Sequence, residues 1–440
     1  MNDYPWFKKR GYLHFDSPMN EEQAYKLVSS PRNVITNSFY PFISHKLSIP
    51  KLKKDEDGKL TRDPKPREIS YASHKDSHIF SYYAYLLNEK YEELLKNEFK
   101  SINNSVLAFR KLGKNNIDFA FQAFKYIKEV KNCTAIALDI SNFFGNLDHK
   151  ILKEKWCKVL GKERLPDDHF SVFKAITQYT TISRDKIYEE FNISLHTPRS
   201  NNRKKICSPK EFRELRNKNR TLFENKLFIS NKNKGIPQGS PISALLSNIY
   251  MIDFDIKLNK KIMELQGLYL RYCDDILCIV PTSEIHNIKE FIEKEKEFIE
   301  KEIDNLNLKI NSKKTEIISF EYDLNKQKII NEKRLQYLGF ILHNESITIR
   351  PAAFTKYSRK MKRGVSLAKQ TQRKYNRIRQ KNNQDNKELF KKKLYTTYSH
   401  FGKRNFISYG KKAAKTMNSP QIRKQLKPLW KKLQSKIESE

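Results

Sequence analysis

The 440-residue sequence predicts an α+β protein of several lobes. Three observations carry that prediction. An apolar, β-prone run, CTAIALD (133–139), ends on an acid and leads through a short loop into a helical stretch. A second run, RYCDDILCI (271–279), sets two adjacent acids, Asp274 and Asp275, at what reads as the turn of a hairpin. Beyond about Ala352 the pattern is helical and strongly basic.

Residues 1–58 are mixed and read as an N-terminal extension, with KKDEDGK (53–59) as an exposed turn. GKLTRDPKPREISYA reads as a short hairpin with Asp63-Pro64 and Pro66 at its tip. Helical stretches follow at about 76–99 and 117–128. After the strand that ends at Asp139, Asp148 is placed to N-cap a helix. LPDDHFSVFKAITQY reads as helical, and the basic segment at about 195–234 has little periodicity and reads as an insertion with loops. NKGIPQGSPISALLSNIYMIDFDIKL (233–258) starts as a Gly/Pro-rich loop and becomes an apolar helix at about Pro241, since proline suits a first helical turn. Past the 271–279 hairpin, Ile285, Ile288, Ile292, Ile299 and Ile303 mark an amphipathic helix over 284–304. A strand pair around KTEIISF and RLQYLGFIL precedes the basic helices.

Lys and Arg total 86 against 50 Asp and Glu, and the net charge of +36 is unevenly spread. Residues 351–440 hold 26 basic and 4 acidic residues, and residues 200–234 hold 11 basic and 3 acidic. Concentrated positive charge predicts a polyanion-binding surface. With 38% hydrophobic residues the chain can build a sizeable core. No window reaches the roughly 18 apolar residues of a membrane span, and the N-terminus lacks an apolar signal stretch, so a cytoplasmic protein without membrane attachment is expected. Five scattered cysteines without a CxxC pair indicate neither a disulfide framework nor a zinc site, and read as reduced, mostly buried thiols.

Two adjacent acids inside an apolar run are costly unless they face water or meet a compensating charge. A solvated turn and a bound metal ion are the two readings. If the strands ending at Asp139 and at Asp274–Asp275 are neighbours, their carboxylates converge into hard-oxygen ligands suited to Mg²⁺. Two such ions about 3.5–4 Å apart can activate a hydroxyl nucleophile and stabilise a departing pyrophosphate. Each acid alone would read as a cap or turn residue; the set does not.

YCDD (272–275) resembles the YxDD box of reverse transcriptases, ALDISNFFGNLDH their first acidic motif, and GIPQGSPISALLSNIYM the glycine-glutamine motif between them. KPREISYA, SVLAFRKLGKNN, LNLKINSKKTEI and LQYLGFIL fall in the family's order around these. The resemblance implies a right-hand polymerase: fingers at 59–132, a palm at 133–350 whose antiparallel sheet carries the YCDD hairpin, and a basic helical thumb at 351–440. It implies an RNA-directed DNA polymerase using two Mg²⁺ ions, with dNTP substrates, an RNA template and a cDNA product. Asp139 and Asp274 would be the principal metal ligands, Asp275 a neighbouring carboxylate and the Ile140 carbonyl an extra ligand. Phe144 falls at the steric-gate position that excludes a ribonucleotide 2′ hydroxyl. Gln238 and Gly239 would lie against nucleotide and template, Arg67 with Lys65 or Arg62 would hold the triphosphate, and Lys314, or its neighbour Lys313, would act at the leaving pyrophosphate. Arg110, Lys356, Arg359, Lys360, Lys362 and Arg363 would contact template and primer.

Retron enzymes carry a valine-threonine-glycine signature and an asparagine-alanine box that this sequence lacks, and group II intron enzymes append further domains. YPWFKKRGYLHFD, SFYPFISH, SHKDSHIFSYYAYLLNEKYE, LPDDHF, ICSPKEF, SHFGKRNFISYG and IRKQLKPLW instead resemble the stand-alone bacterial defence-associated reverse transcriptases of type 2. That likeness implies a structured noncoding RNA as template and a role in anti-phage defence, with homo-oligomerisation left open. The alternatives are a retron or group II-like reverse transcriptase, an RNA-dependent RNA polymerase, against which Phe144 argues, and an RNA-binding scaffold that kept the fold and lost catalysis, against which every expected acid is present.

Overall fold

The computed structural model describes residues 4–54, 60–218, 227–231, 233–283 and 285–439, with the side chains of 48–65 outside that description. Among the described residues, twelve strands form three sheets. β1 (Phe42–Lys54) and β2 (Leu60–Tyr71) pair antiparallel from Ile43↔Tyr71 out to Lys54↔Leu60. Asp63, Pro64 and Pro66 therefore lie along β2 and not at the hairpin's tip as expected. β2 is an edge strand, where a proline's missing N–H is tolerated. The expected turn at 53–59 falls largely on residues 55–59, outside the description. β1, within the first 58 residues, thus takes its strand partner from beyond them.

β3 (Cys133–Asp139) ends on the predicted acid. β4 (Thr180–Ser183) runs parallel to β1, and β5 (Phe228–Ser230) pairs antiparallel with β4, completing a sheet of order β2-β1-β4-β5. β6 (Leu268–Tyr272) and β7 (Asp275–Pro281) form the predicted hairpin. With β8 (Glu316–Asp323) and β9 (Lys328–Ile330) they build the central antiparallel sheet, order β6-β7-β3-β8-β9. β10 (Leu335–Tyr337), β11 (Phe340–His343) and β12 (Ser346–Ile349) form a small separate sheet. KTEIISF and LQYLGFIL are thus not a pair: the first joins β3 and the second folds on its own.

The central sheet is buried on both faces, which explains its unbroken apolar runs. Because strand side chains alternate, Ile136 and Leu138 of β3 with Ile276, Cys278 and Val280 of β7 enter one core. That core is closed by the helices His74–Asn97, His149–Leu160 and Ile252–Glu264. Cys133 and Ala135 with Leu277 and Ile279 enter a second core, shared with the helix Asn116–Val130, the small sheet and the C-terminal helices. Asp139 and Asp275 have the parity of this second face.

Local signals behave as physics requires. Asp148 accepts from the N–H groups of Lys150 and Ile151 and starts the helix at His149. The helix expected at Pro241 begins instead at Ser243, because residues 240–242 form a tighter turn in which Ser243 Oγ donates to the Pro237 carbonyl. The amphipathic helix is Ile288–Asp304, with Ile292, Ile299 and Ile303 buried and Ile285 ahead of it. After β12, helices Pro351–Lys381, Lys391–Tyr398, Phe406–Thr416, Pro420–Leu426 and Pro428–Glu438 form the basic C-terminal region.

The insertion read as loops is more ordered than expected. Its Ile206 and Leu215 pack with Ile182 and Ile187, which precede it, and with Leu13, Phe15 and Ile43 of the N-terminal segment in a third core. The Ile206 N–H donates to the His14 carbonyl at 2.8 Å, and the rings of Phe15 and Phe212 stand 4.5 Å apart. Scattered apolar residues on short elements give no periodicity to read, and only the long-range partner makes them a core. Phe15→Ala should cost about 3–5 kcal/mol in denaturant unfolding. Limited proteolysis of that variant should cut first within 184–218; unchanged protection there would remove Phe15 from this core.

Candidate active site

The hairpin that carries the acids turns in two residues. Tyr272 pairs with Asp275, leaving Cys273 and Asp274 as the turn. Cys273 has φ 61°, the left-handed conformation that such a turn demands and that a residue with a Cβ resists, at a cost of about 1–3 kcal/mol. What holds it is Arg271, wholly buried one position before Tyr272. Its Nε and Nη2 donate to the two carboxylate oxygens of Asp255, both at 2.6 Å, and its Nη1 donates to the Cys273 carbonyl at 3.1 Å. Tyr269 adds a third donor to Asp255 at 2.6 Å. Burial works against the Arg271 charge, but Asp255 more than restores it and holds the guanidinium protonated. The Arg271 backbone is stitched between the Ser105 carbonyl and the Leu107 N–H. None of Arg271, Asp255 or Tyr269 was singled out from sequence, although Arg271 stands inside the conspicuous RYCDD run.

The register of β3 on β7 sets Asp139 directly opposite Asp275. Opposed side chains on one face lie with Cβ atoms roughly 4.5–5.5 Å apart, where like charges repel. Asp275 is exposed at the strand's end yet crowded by protein, and its carboxyl is pushed up to about 6 by that crowding and then by Asp274 and Asp139. Lys314 and Arg350 oppose the shift. Asp274 occupies the turn, with its carbonyl accepting from the Ile140 N–H at 3.1 Å. The Lys314 ammonium sits 2.5 Å from Asp139 Oδ1, whereas Lys313 makes no such contact. Arg350 and Tyr337, whose buried hydroxyl has no partner among the described residues, also stand close enough to act on or be affected by Asp275 charge. Neither carried a sequence signal, because both arrive from the small sheet's edge.

The glycine-glutamine loop packs against the turn that follows β3. A Cβ on Gly235 would meet the Gly145 carbonyl at 2.6 Å, and the Ile236 N–H donates to the Phe144 carbonyl at 2.8 Å. Gly239, at φ 119°, would drive a Cβ to 2.6 Å from the Ser70 carbonyl, while the Ser70 N–H donates to the Gln238 carbonyl. The loop is therefore pinned to Phe144 on one side and to β2 on the other. Phe144 and Gln238 are half-buried and Gly239 is exposed. Arg67 is exposed on β2, three residues before Ser70; the side chains of Lys65 and Arg62 lie outside the described residues.

Arg110 is a correction. Its guanidinium is 1% exposed and every N–H is used, by Glu92 at 2.8 Å twice and by the Asn103 and Val106 carbonyls and Asn103 Oδ1. It braces the 103–110 segment and has no donor left for a template. Lys356, Arg359, Lys360, Lys362 and Arg363 are all exposed on the Pro351–Lys381 helix, whose opposite face buries Tyr357, Met361 and Val365.

Residues 79–342 match the family model described as reverse transcriptase (RNA-dependent DNA polymerase). The chain belongs to this family. No curated protein sequence matches it. Among solved structures it is similar to apo telomerase from Candida tropicalis truncated from its C-terminal domain, at 14% identity and TM-score 0.42, over 76% of this chain and 61% of that one. It is also similar to telomerase from Candida albicans in complex with a TWJ fragment of telomeric RNA, at 12% identity and TM-score 0.39, over 79% and 53%. The chain thus spans about three fifths of the first of these.

Reverse transcriptases use divalent metal ions. The donor set here fits one: hard carboxylate oxygens crowd together until one of them holds its proton more tightly, and a lysine ammonium already rests on another. Among the described residues no three acidic, histidine or cysteine side chains form a ready cage. Mg²⁺ needs none, since it binds through one or two carboxylates plus waters and substrate phosphates. No helix of the described residues is long and apolar enough to cross a membrane.

Asp255→Ala would strand a buried guanidinium and should cost about 3–5 kcal/mol by chemical denaturation, while Asp255→Leu with Arg271→Met should cost less than the single change. Equal losses would show that the two charges do not act as a pair. For Asp275, a carboxyl raised from 3.8 to about 6 favours the folded state at low pH and loses that contribution as pH climbs through this window. Asp275→Asn should therefore stabilise the fold at pH 8 by up to about 1 kcal/mol after solvent screening, read as a higher melting temperature, and leave stability unchanged near pH 3.5.

Proposed function

We propose that this reverse transcriptase family member makes cDNA by two-metal nucleotidyl transfer at Asp139, Asp274 and Asp275. The observation that carries the reading is the β3–β7 register, which opposes Asp139 to Asp275 with Asp274 at the adjoining turn. In this assignment the three carboxylates and the Ile140 carbonyl would hold two Mg²⁺ ions; the Asp139 carbonyl is already taken by the Asn311 N–H. When bound, the ions activate the primer 3′ hydroxyl and neutralise charge on the leaving pyrophosphate.

The chain's own residues do the rest. Lys314, whose ammonium rests on Asp139, would supply a proton and positive charge to the leaving pyrophosphate. Arg67, an exposed guanidinium without an ion pair among the described residues, clamps triphosphate oxygens with its planar fork. Phe144 closes the space beside C2′ and selects dNTPs, held in place through its backbone by Ile236. Gln238 and Gly239 line the nucleotide and template path. In architecture, β1–β2 and the 74–130 helices serve as fingers, the central sheet as palm and the Pro351–Glu438 helices as thumb. Lys356, Arg359, Lys360, Lys362 and Arg363 form a phosphate-binding face there, with affinity that falls steeply with salt.

The template in this reading is a structured noncoding RNA copied in bacterial anti-phage defence. It rests on the type 2 defence-associated stretches in the sequence and on the basic C-terminal region. Sequencing RNA that co-purifies with the protein should return one abundant structured species; random cellular RNA would sink this part of the proposal.

Primer extension on RNA with Mg²⁺ and dNTPs should fall at least a thousandfold in Asp274→Ala, a loss of about 4 kcal/mol of transition-state stabilisation. Extension undiminished by that change would overturn the catalytic assignment. Phe144→Ala should admit ribonucleotides, read as a rise in NTP over dNTP incorporation. Unchanged discrimination would remove the gate role.

A further inference from the structure

The C-terminal helices enclose a cleft of about 410 Å³ that no step of the proposed reaction uses. It lies where the end of Lys391–Tyr398 meets the helices Phe406–Thr416, Pro420–Leu426 and Pro428–Glu438. Its floor is apolar, from the buried Ile407 and Leu426. Its wall is aromatic: Trp430, half-buried, has His400 edge-on at 5.1 Å, and both line the cleft. Its rim is cationic, from Lys411, Arg423 and Lys427, all exposed and contributed by different helices or their junction. Among the described residues none of these three cations has an ion-pair partner, and the acids of the region are confined to Asp385, Glu388 and Glu438.

Each part selects a ligand property. An apolar floor and an indole wall favour a flat ring, and three uncompensated cations around the opening favour phosphate. The size suits one small ligand. We propose that this cleft binds a nucleotide, with the base against Trp430 and its phosphates on Lys411, Arg423 and Lys427. Both an unpaired nucleotide of a bound strand and a free nucleotide have that chemistry. Base stacking on an aromatic ring beside a charged backbone track is how single strands are held without reading sequence. The site is additional to the polymerase centre, and the two assignments can fail separately.

The chain has three tryptophans, and Trp6 and Trp156 are buried, so a ligand in the cleft addresses Trp430 alone. Full-length protein should show saturable fluorescence quenching on titration with 5′-phosphorylated hexauridylate, and Trp430→Phe should abolish the quenching. The triple variant Lys411→Glu, Arg423→Glu, Lys427→Glu changes only exposed side chains, and it should weaken quenching at least tenfold with its circular dichroism intact. Photo-crosslinking with a 5-iodouridine hexamer should place adducts on peptides containing His400 or Trp430. Saturation by UTP alone would identify a free nucleotide as ligand, and saturation by the hexamer alone would identify a strand. Equal quenching in the triple variant, or adducts elsewhere only, would overturn the proposal. Primer extension measured in parallel reads the Asp274 assignment independently.

Discussion

A single buried ion pair seats the acidic hairpin. Arg271 reaches backwards to Asp255 with two hydrogen bonds, sideways to Asn248, and forwards to the carbonyl of the left-handed Cys273. Asn248 continues the chain of contacts to the Ala108 carbonyl. One guanidinium thus fixes the hairpin against two successive helices and an irregular strand. Fork geometry matters: a lysine would offer one point charge where four acceptors stand in different directions. Such a pair contributes less to net stability than to uniqueness of position, since both charges lose their water. Position is what the neighbouring acids require.

Around that anchor the molecule tolerates unfavourable local energies. Cys273 occupies a backbone conformation better suited to glycine, and Asp275 faces another carboxylate across a sheet. Both lie within a few residues of each other, on a sheet buried on two sides and therefore unable to yield. Rigid apolar packing behind the acids prevents the repulsion from being relieved by a shift of strands. It is relieved instead by cations, Lys314 and Arg350, brought in from the β8 entry and the end of β12.

Much of this was readable from sequence wherever a short-range rule applied. The strand ending at Asp139 and the YCDD hairpin showed themselves by apolar runs broken only by acids, and Asp148 by a capping residue ahead of a helical period. Readability failed where meaning depends on a distant partner. Asp255 looks like any charge on an amphipathic helix until Arg271 is beside it. Arg110 resembles a free phosphate ligand until Glu92 and Asn103 consume its donors. Pro241 satisfied a statistical preference for a helix start, but hydrogen bonds to Pro237 and Ser240 delayed the helix by two residues. The third core escaped because its apolar residues come from segments far apart in the chain, each too short to show a period.

The contact between Gly239 and Ser70 joins two parts of the chain that are 169 positions apart. With a hydrogen bond in one direction and no room for a methyl group in the other, it works as a hinge pin without play. The long β1–β2 ribbon cannot tilt without carrying Gln238 along. Mechanical displacement at the ribbon is therefore transmitted to the Gln238–Gly239 loop within one peptide unit.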